Sequence, residues 1–343
     1  MKKLFKIQEK IVPEIVETAQ IRYNILRSIY YHQPVGRRAL AHMLDLSERK
    51  VRNDLEFFEK NYFIRITPAG TQITRTGEEF LVELDEYIKE LRDIKNLEQK
   101  LEKMLGLKKV KLVNGAVSET DRKVEIGRLA AQLLQEEIKN GDILAVTGGT
   151  TLAEVAARMD SRQEVSDVLV VPGRGGLGED VEIQANTIAA EIAKKLGGSY
   201  YLLHVPDNIA EENFSRICHE PSIQKTLQIL KKANILIHGV GSAEDMAVRR
   251  GLSREEIDFL TAERAVSEAF GFYFDSSGKI VYSTASVGLT LEDLKDIETV
   301  IVVAGGENKA EAILAAVSPQ YQDILITDEV TARKIIRLKG GEI

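Results

Sequence analysis

The sequence predicts an α/β protein in three segments: a small helical module closed by a hairpin, a helical connector, and a larger domain of alternating strands and helices. Apolar residues recur at helical spacing through residues 21–60 and then give way to two short strand-like runs. Beyond residue 108, apolar runs of strand length are separated mostly by helical stretches, the pattern of a largely parallel sheet. Charge divides the same way. The 343-residue chain has a net charge of -7, yet residues 1–75 carry 14 Lys and Arg against 8 Asp and Glu, leaving 32 against 45 for the rest. A basic module on an acidic body confines polyanion binding to one end.

In the first segment (1–76), Ile21, Ile25, Leu26 and Ile29 form a helical stripe ended by Pro34-Val35-Gly36. A second helix spans Arg37–Leu44, Asp45-Leu46 makes a tight turn, and Ser47 caps a third helix running to Lys60. Val51, Leu55 and Phe58 share one face of that helix, leaving Arg49, Arg52, Asn53 and Glu56 on the other. Phe63–Ile66 and Thr71–Thr74 flank Pro68-Ala69-Gly70 as a wing. Two helices around a tight turn, the second presenting Arg and Asn outward, is the layout of a DNA-reading helix–turn–helix. Arginine suits guanine edges and asparagine adenine edges. Arg37, Arg38, Lys50, Arg65 and Arg75 suit phosphates instead. A helical packing domain with a solvated charged face is the plainer reading.

The connector (77–107) has Leu81, Leu84, Ile88, Leu91, Leu97, Leu101 and Met104 in an approximate stripe that lapses near Arg92-Asp93. Two readings stay open, a coiled coil pairing two chains and a helix packed on its own domain, and the dimerising one is favoured. In the third segment (108–343) the strand runs are Val110–Val113, Ile143–Thr147, Val168–Val171, Tyr200–Val205, Ile235–Val240, Val300–Val303 and Ile324–Thr327. A parallel sheet of this kind places ligands at its C-terminal strand edges. No apolar run approaches the ~20 residues of a membrane span, and no signal-peptide pattern opens the chain. The single cysteine, Cys218, fits a reducing cytoplasm, and nothing beside Cys218-His219 suggests a metal site or cofactor.

The strand ends carry the candidate ligand chemistry. Gly148-Gly149-Thr150-Thr151 joins a strand to a helix start, where amides, hydroxyls and the helix dipole suit a phosphate. Arg174 lies in Pro172–Asp180, where four glycines in six residues read as ligand-facing rather than packed, and its fork matches phosphate oxygens. Gln184, Asn186 and Thr187 offer groups for sugar hydroxyls. Arg249 and Arg250 serve either a second anion or the helix C-terminal dipole, and these readings stay equal. Lys309 opens a helix after Gly305-Gly306, a place unfavourable to a cation unless an anion is bound. Glu268 is either an acceptor for a sugar hydroxyl or a carboxylate on a helix surface. His204 and His238, inside apolar runs, are expected to be buried and hydrogen-bonded.

Gly36-Arg37-Arg38 with Leu46–Arg49, Val146–Thr151, Pro172–Asp180 with Gln184–Thr187, Glu268–Gly271 and Val303–Ala310 together resemble the SorC-type bacterial transcription regulators, over nearly the whole chain. The resemblance implies a winged helix–turn–helix joined to a Rossmann-like effector domain of the phosphosugar isomerase and deaminase type. It also implies a repressor of glycolytic genes, released from operator DNA by fructose 1,6-bisphosphate; the connector makes a homodimer or homotetramer the expected assembly. Effector-site positions carry over to Gly148, Gly149, Thr150, Thr151, Arg174, Gln184, Arg249, Arg250, Glu268 and Lys309. The competing reading is a phosphosugar isomerase or deaminase with a fused DNA-binding domain. Such an enzyme needs a base and an acid beside the reacting carbon. The related deaminases carry a histidine after the Gly-x-Gly strand end, but Gly239–Asp245 is followed by none, and the isomerases' Gly-Ala-Asp type loop is missing. A third class, an architectural DNA-binding protein whose body only oligomerises, leaves the glycine and arginine loops unexplained.

Overall fold

The computed structural model describes residues 10–115, 118–161, 165–176, 180–206, 211–284, 286–317 and 321–341. They divide into two compact units, Met1–Leu97 with Asn114–Asp121, and Glu98–Val113 with Arg122–Ile343.

In the first unit, α1 (Pro13–His32) begins with proline in its first turn, where a missing N–H costs nothing. Next come α2 (Arg37–Met43) and α3 (Glu48–Lys60), separated by a turn in which Asp45 takes φ 51°. Ser47 Oγ accepts from Lys50 N at 3.2 Å, the N-cap that the sequence anticipates. Val51, Leu55 and Phe58 close on Ile25, Leu26, Ile29 and Leu40 as one core. Strands β1 (Ile64–Thr67) and β2 (Gly70–Ile73) pair antiparallel around Pro68-Ala69 and form the wing. Helix α4 (Arg75–Leu91) starts on Thr74, whose hydroxyl accepts from Gly77 N at 3.0 Å. The connector is two helices. Asp93 at φ 52° separates α4 from α5 (Ile94–Leu105), where the apolar stripe lapses.

The second unit is built on a parallel seven-stranded sheet of order β3-β13-β12-β7-β4-β5-β6. Its strands are β3 (Lys109–Val113), β4 (Ile143–Val146), β5 (Leu169–Pro172), β6 (Ser199–Tyr200), β7 (Ile235–Gly239), β12 (Thr299–Val303) and β13 (Ile324–Asp328). The helices between them are α6 (Glu119–Glu137), α7 (Thr150–Arg158), α8 (Ala185–Leu196), α9 (Glu211–Cys218), α10 (Pro221–Leu230), α11 (Ala243–Arg249), α12 (Arg254–Ala262), α13 (Ala310–Ala316) and α14 (Glu329–Leu338). Leu144, Val146, Ile235, Ile237, Ile301 and Val303 pack with residues of α6, α7 and α8 in the largest core. Edge strand β3 is protected by α5. Glu98 and Glu102 accept the backbone N–H of Leu112 and Val110, each at 3.0 Å, so the edge donors are not left open.

Two expectations need correcting. Of the run Tyr200–Val205 only Tyr200 enters the sheet, in the two-residue β6, and the chain then leaves it. The sequence reading also missed a four-stranded antiparallel sheet, order β11-β10-β9-β8: β8 (Gly241–Ser242), β9 (Ala265–Ala269), β10 (Phe272–Asp275) and β11 (Ile280–Ser283). Its strands are short, so no long periodic run announces them.

Candidate functional site

Chain order and sheet order diverge at the centre of the second unit. From β4 the chain moves outward through β5 and β6, then returns to β7 beside β4 and continues through β12 and β13. Connections on either side of β4 and β7 therefore diverge and open a crevice at the C-terminal strand ends, where α/β sheets bind ligands. A cavity of about 520 Å³ lies there, lined by Thr147–Leu152 after β4, Arg174–Gly176 after β5, His238–Ser242 around the end of β7 and Val303, Ala304 and Lys309 after β12. All ten predicted effector residues, Gly148, Gly149, Thr150, Thr151, Arg174, Gln184, Arg249, Arg250, Glu268 and Lys309, line it.

The β4 turn is shaped by packing as much as by any ligand. A Cβ on Gly148 would stand 2.8 Å from the Ile183 carbonyl, and the Gly149 amide donates to that same carbonyl at 2.8 Å. Gly149 takes φ 129°, which side-chain-bearing residues rarely adopt. Helix α7 then starts at Thr150 without a side-chain cap, so its first amides and dipole face the cavity. The Lys309 turn is braced from below. Gly306 N donates to Asp328 Oδ2 and Thr331 Oγ1, each at 2.8 Å, while buried Asp328 caps α14 through Thr331 N and pairs with Arg122 Nε at 3.4 Å.

The far wall holds two buried guanidiniums. Arg250 Nη2 meets Glu268 Oε1 at 2.8 Å, and the same carboxylate accepts the Gly271 amide. Arg174 is 6% exposed and donates from Nε to Ser286 Oγ at 3.1 Å. Burial, with the Arg250 charge adding to it, pushes the Arg174 guanidinium down to about 9, against the pull of Glu268 and Tyr273. It remains cationic at neutral pH, and an anion beside it offsets the desolvation. Among the described residues, five cations line the cavity (Lys123, Arg174, Arg249, Arg250, Lys309) against three carboxylates (Glu244, Asp245, Glu268), a net +2.

In the first unit, Arg37, Arg38, Arg49, Arg52 and Asn53 are exposed, as a DNA-reading surface requires. Arg37 and Arg38 lie 3.2 and 3.5 Å from Glu48. Lys50 differs: its Nζ is 3.3 Å from Asp54, a buried carboxylate that also meets Arg22 Nε at 3.1 Å. The Lys50 pair lies within α3, and it is the Asp54 pair with Arg22 that ties α3 to α1.

Residues 18–88 match the family model described as "CggR N-terminal DNA binding domain", and residues 89–337 match "Putative sugar-binding domain". The chain is 42% identical over 339 residues to the central glycolytic genes regulator of Priestia megaterium, across 98% of this chain and 99% of that one. It is 38% identical over 338 residues to the central glycolytic genes regulator of Bacillus subtilis, with the same coverage. The chain belongs to the SorC-type central glycolytic genes regulators. The crystal structure of a SorC family transcriptional regulator from Enterococcus faecalis is 38% identical to it, with a TM-score of 0.65 over 70% of this chain and 99% of that one. As a SorC-type regulator it couples a DNA-binding domain to a sugar-binding domain.

Against that identity, several sequence expectations shift. Gly175 and Gly176 line the cavity, and Gly175 is packed as well: a Cβ on it would lie 2.7 Å from the Val205 carbonyl and 2.8 Å from that of Pro206. Gly178 lies outside the described residues. Asn186 does not line the cavity but bridges Leu203, donating to its carbonyl at 3.2 Å and accepting its amide at 2.9 Å. Glu268 is a buried strand carboxylate, not a helix-surface one. Arg250, one of the two arginines with open roles, belongs to the cavity wall through Glu268. His204 is exposed, and buried His238 is only half hydrogen-bonded. Lys123, His238 and Phe270 also line the SorC-type site without having been anticipated. Lys123 had no local signal, whereas Phe270 lies within the Glu268–Gly271 motif. Among the described residues no helix is long and apolar enough to cross a membrane, and no three His, Cys, Asp or Glu side chains cluster as metal ligands.

Proposed function

We propose that this chain is a cytoplasmic repressor of glycolytic genes whose hold on operator DNA is relieved by fructose 1,6-bisphosphate. The observation that carries the reading is the cavity at the sheet's switch point, with its net +2 lining and uncapped helix start. One phosphate sits on the Thr150-Thr151 and Lys309 turns, the other beside Arg174 and Arg249. Gln184 and Glu268 face the sugar between them. The relatives' function, central glycolytic genes regulation, supports the sugar class. Arg49, Arg52 and Asn53 read the operator, with Arg37 and Arg38 on its phosphates. Residues 1–76 form the reading module, 77–107 the connector and 108–343 the sensor, acting as a homodimer or homotetramer that sets paired half-sites.

A sensor rather than a catalyst is supported by what occupies the acid–base candidates. Glu268 is engaged by Arg250 and the Gly271 amide, and burial pushes the His238 imidazole down to about 4. That imidazole is not poised to exchange protons near neutral pH, and the Glu268 carboxylate is held by its partners. Effector and operator are coupled by about 1–3 kcal/mol per site. The test is a gel shift of the full chain on a glycolytic operon promoter, with and without fructose 1,6-bisphosphate and fructose 6-phosphate. Release by the bisphosphate supports the reading. Binding indifferent to both sugars, or turnover of either, overturns it.

A further inference from the structure

The boundary between the two units falls inside one continuous helix, α6, directly after Asp121. Asn114–Asp121, which follows β3 and enters α6, belongs to the first unit, and buried groups hold it there. Asn114 Nδ2 donates to Asp85 Oδ1 at 2.8 Å, and Arg27 Nη2 donates to the Gly115 carbonyl at 2.6 Å. His32, the last residue of α1, meets Asp121 Oδ1 through Nε2 at 2.8 Å; a carboxylate only accepts, so Nε2 donates. Helix α1 leads on to the reading helix. Its Arg22 Nε pairs with Asp54 at 3.1 Å, and its Ile25, Leu26 and Ile29 share a core with Val51, Leu55 and Phe58 of α3.

Beyond the boundary the same helix is tied to the cavity wall. Arg122 Nε lies 3.4 Å from Asp328 Oδ2, the oxygen that accepts the Gly306 amide at 2.8 Å under the Lys309 turn. Lys123, the next residue, lines the cavity itself. A Cβ on Gly127 would stand 2.6 Å from Glu154 Cβ, so α6 is also seated against α7, which starts at Thr150. Asp121 and Arg122 are successive residues, about 1.5 Å apart along the helix axis, so neither moves without the other. Both carboxylates on this route are buried, Asp328 at 0% and Asp121 at 4% exposure. Leaving a buried carboxylate unpaired is costly, so its partner follows it. We propose that α6 is the relay between sugar and operator: a phosphate seated on the Lys309 turn acts through Asp328 and Arg122 on α6, and Asp121 passes the change to His32, α1 and the reading helix. The relay rests on the sugar-phosphate reading above. It is carried by a hydrogen-bonded path and a stiff element, the means by which packed proteins couple sites.

The experiment measures operator affinity of the full chain by gel shift, with and without saturating fructose 1,6-bisphosphate, and sugar affinity by calorimetry. In the parent chain, saturating sugar should weaken operator binding by about 5- to 150-fold. His32→Ala should bring that factor to within about threefold of unity, while sugar affinity and sugar-free operator affinity each stay within about threefold of the parent. His32→Gln, whose amide can donate to Asp121, should restore most of the release. Hydrogen exchange of the parent chain gives a second readout that does not depend on a variant folding: protection should change on adding the sugar at the end of α1 and across 119–123. A parent-like release factor in His32→Ala overturns the relay. So does a loss of sugar affinity or of sugar-free operator affinity in its place, a His32→Gln chain no better released than His32→Ala, or exchange at both segments that ignores the sugar. All of these leave the sugar-phosphate site standing. A parent chain that fails to bind the bisphosphate, or binds it and keeps its hold on operator, overturns the functional reading and the relay together.

Discussion

Gly271→Ala should blind the sensor without touching the reading helix. Phe270 and Gly271 form the two-residue loop between β9 and β10, with φ 54° and 74°, the positive pair of a type I′ turn. An alanine there pays a left-handed penalty of about 1 kcal/mol in stability. The larger effect falls on the neighbour. The new Cβ would crowd Thr284 Oγ1 and lie 2.5 Å from Arg174 Nη2 and 2.6 Å from Nη1, closer than such atoms tolerate. The guanidinium must withdraw by ~1 Å to regain contact distance. Its Nε is held by Ser286, so the fork rotates out of register with its anion. A charge-assisted hydrogen bond is worth about 1.5–3 kcal/mol, so losing one weakens fructose 1,6-bisphosphate roughly 10- to 100-fold. Calorimetry gives the affinity and a gel shift without sugar gives operator binding, which should match the parent. Gly271→Ala combined with Arg174→Ala should lose little more than Arg174→Ala, because both act through one side chain. Parent-like sugar affinity in the alanine variant, or full additivity with Arg174→Ala, would refute the reasoning.

Arg174→Ala should bind operator as the parent does and no longer be released by sugar, and normal release in the gel shift would remove Arg174 from the phosphate site. Arg52→Ala should weaken operator binding by about 1–3 kcal/mol at a base-reading position while sparing sugar affinity. An equal loss on scrambled DNA would make it a phosphate contact instead. Asp328→Ala strands the Thr331 amide and Arg122, takes the acceptor from the Thr331 hydroxyl and leaves the Gly306 amide with Thr331 Oγ1 alone, so urea unfolding should show a loss of about 3–5 kcal/mol. A loss under about 1 kcal/mol would show that the turn is held some other way. His238 gives a pH signature: burial lowers its pKa from 6.5 to about 4, so the unfolded chain takes up this proton first. Its contribution is full above pH 6.5 and falls by about 3 kcal/mol as pH drops toward 4. His238→Gln should flatten that part of the urea-midpoint profile, and an unchanged slope would count against it.

Much of this architecture was readable locally. The Ser47 cap, the Val51–Leu55–Phe58 stripe and the wing around Pro68-Ala69 each depend on residues within a turn or two of one another. The glycine pair before α7 and the lysine opening the stretch before α13 announce anion-friendly strand ends for the same reason. The antiparallel sheet was missed because β8 spans two residues and β10 and β11 four each, too short to show a period. The packing of Gly175 was not legible because its neighbours, Val205 and Pro206, are about 30 residues away in sequence. Asn186 reads as a sugar group until its partner Leu203 is known.

By itself the sequence determined the helices and most central strands, their caps, the exposed basic surface of the first unit and the residue types at each strand end. These follow from periodicity, capping and turn chemistry, which act over a few residues. Only the tertiary structure decided that Arg250 answers to Glu268, 18 residues on, that Gly271 makes room for Arg174, and that Asp328 braces the turn carrying Lys309. Those relations depend on strand order and register. Local propensity does not encode them, because the same apolar runs can be paired in many orders, and the winning order is the one that buries them all.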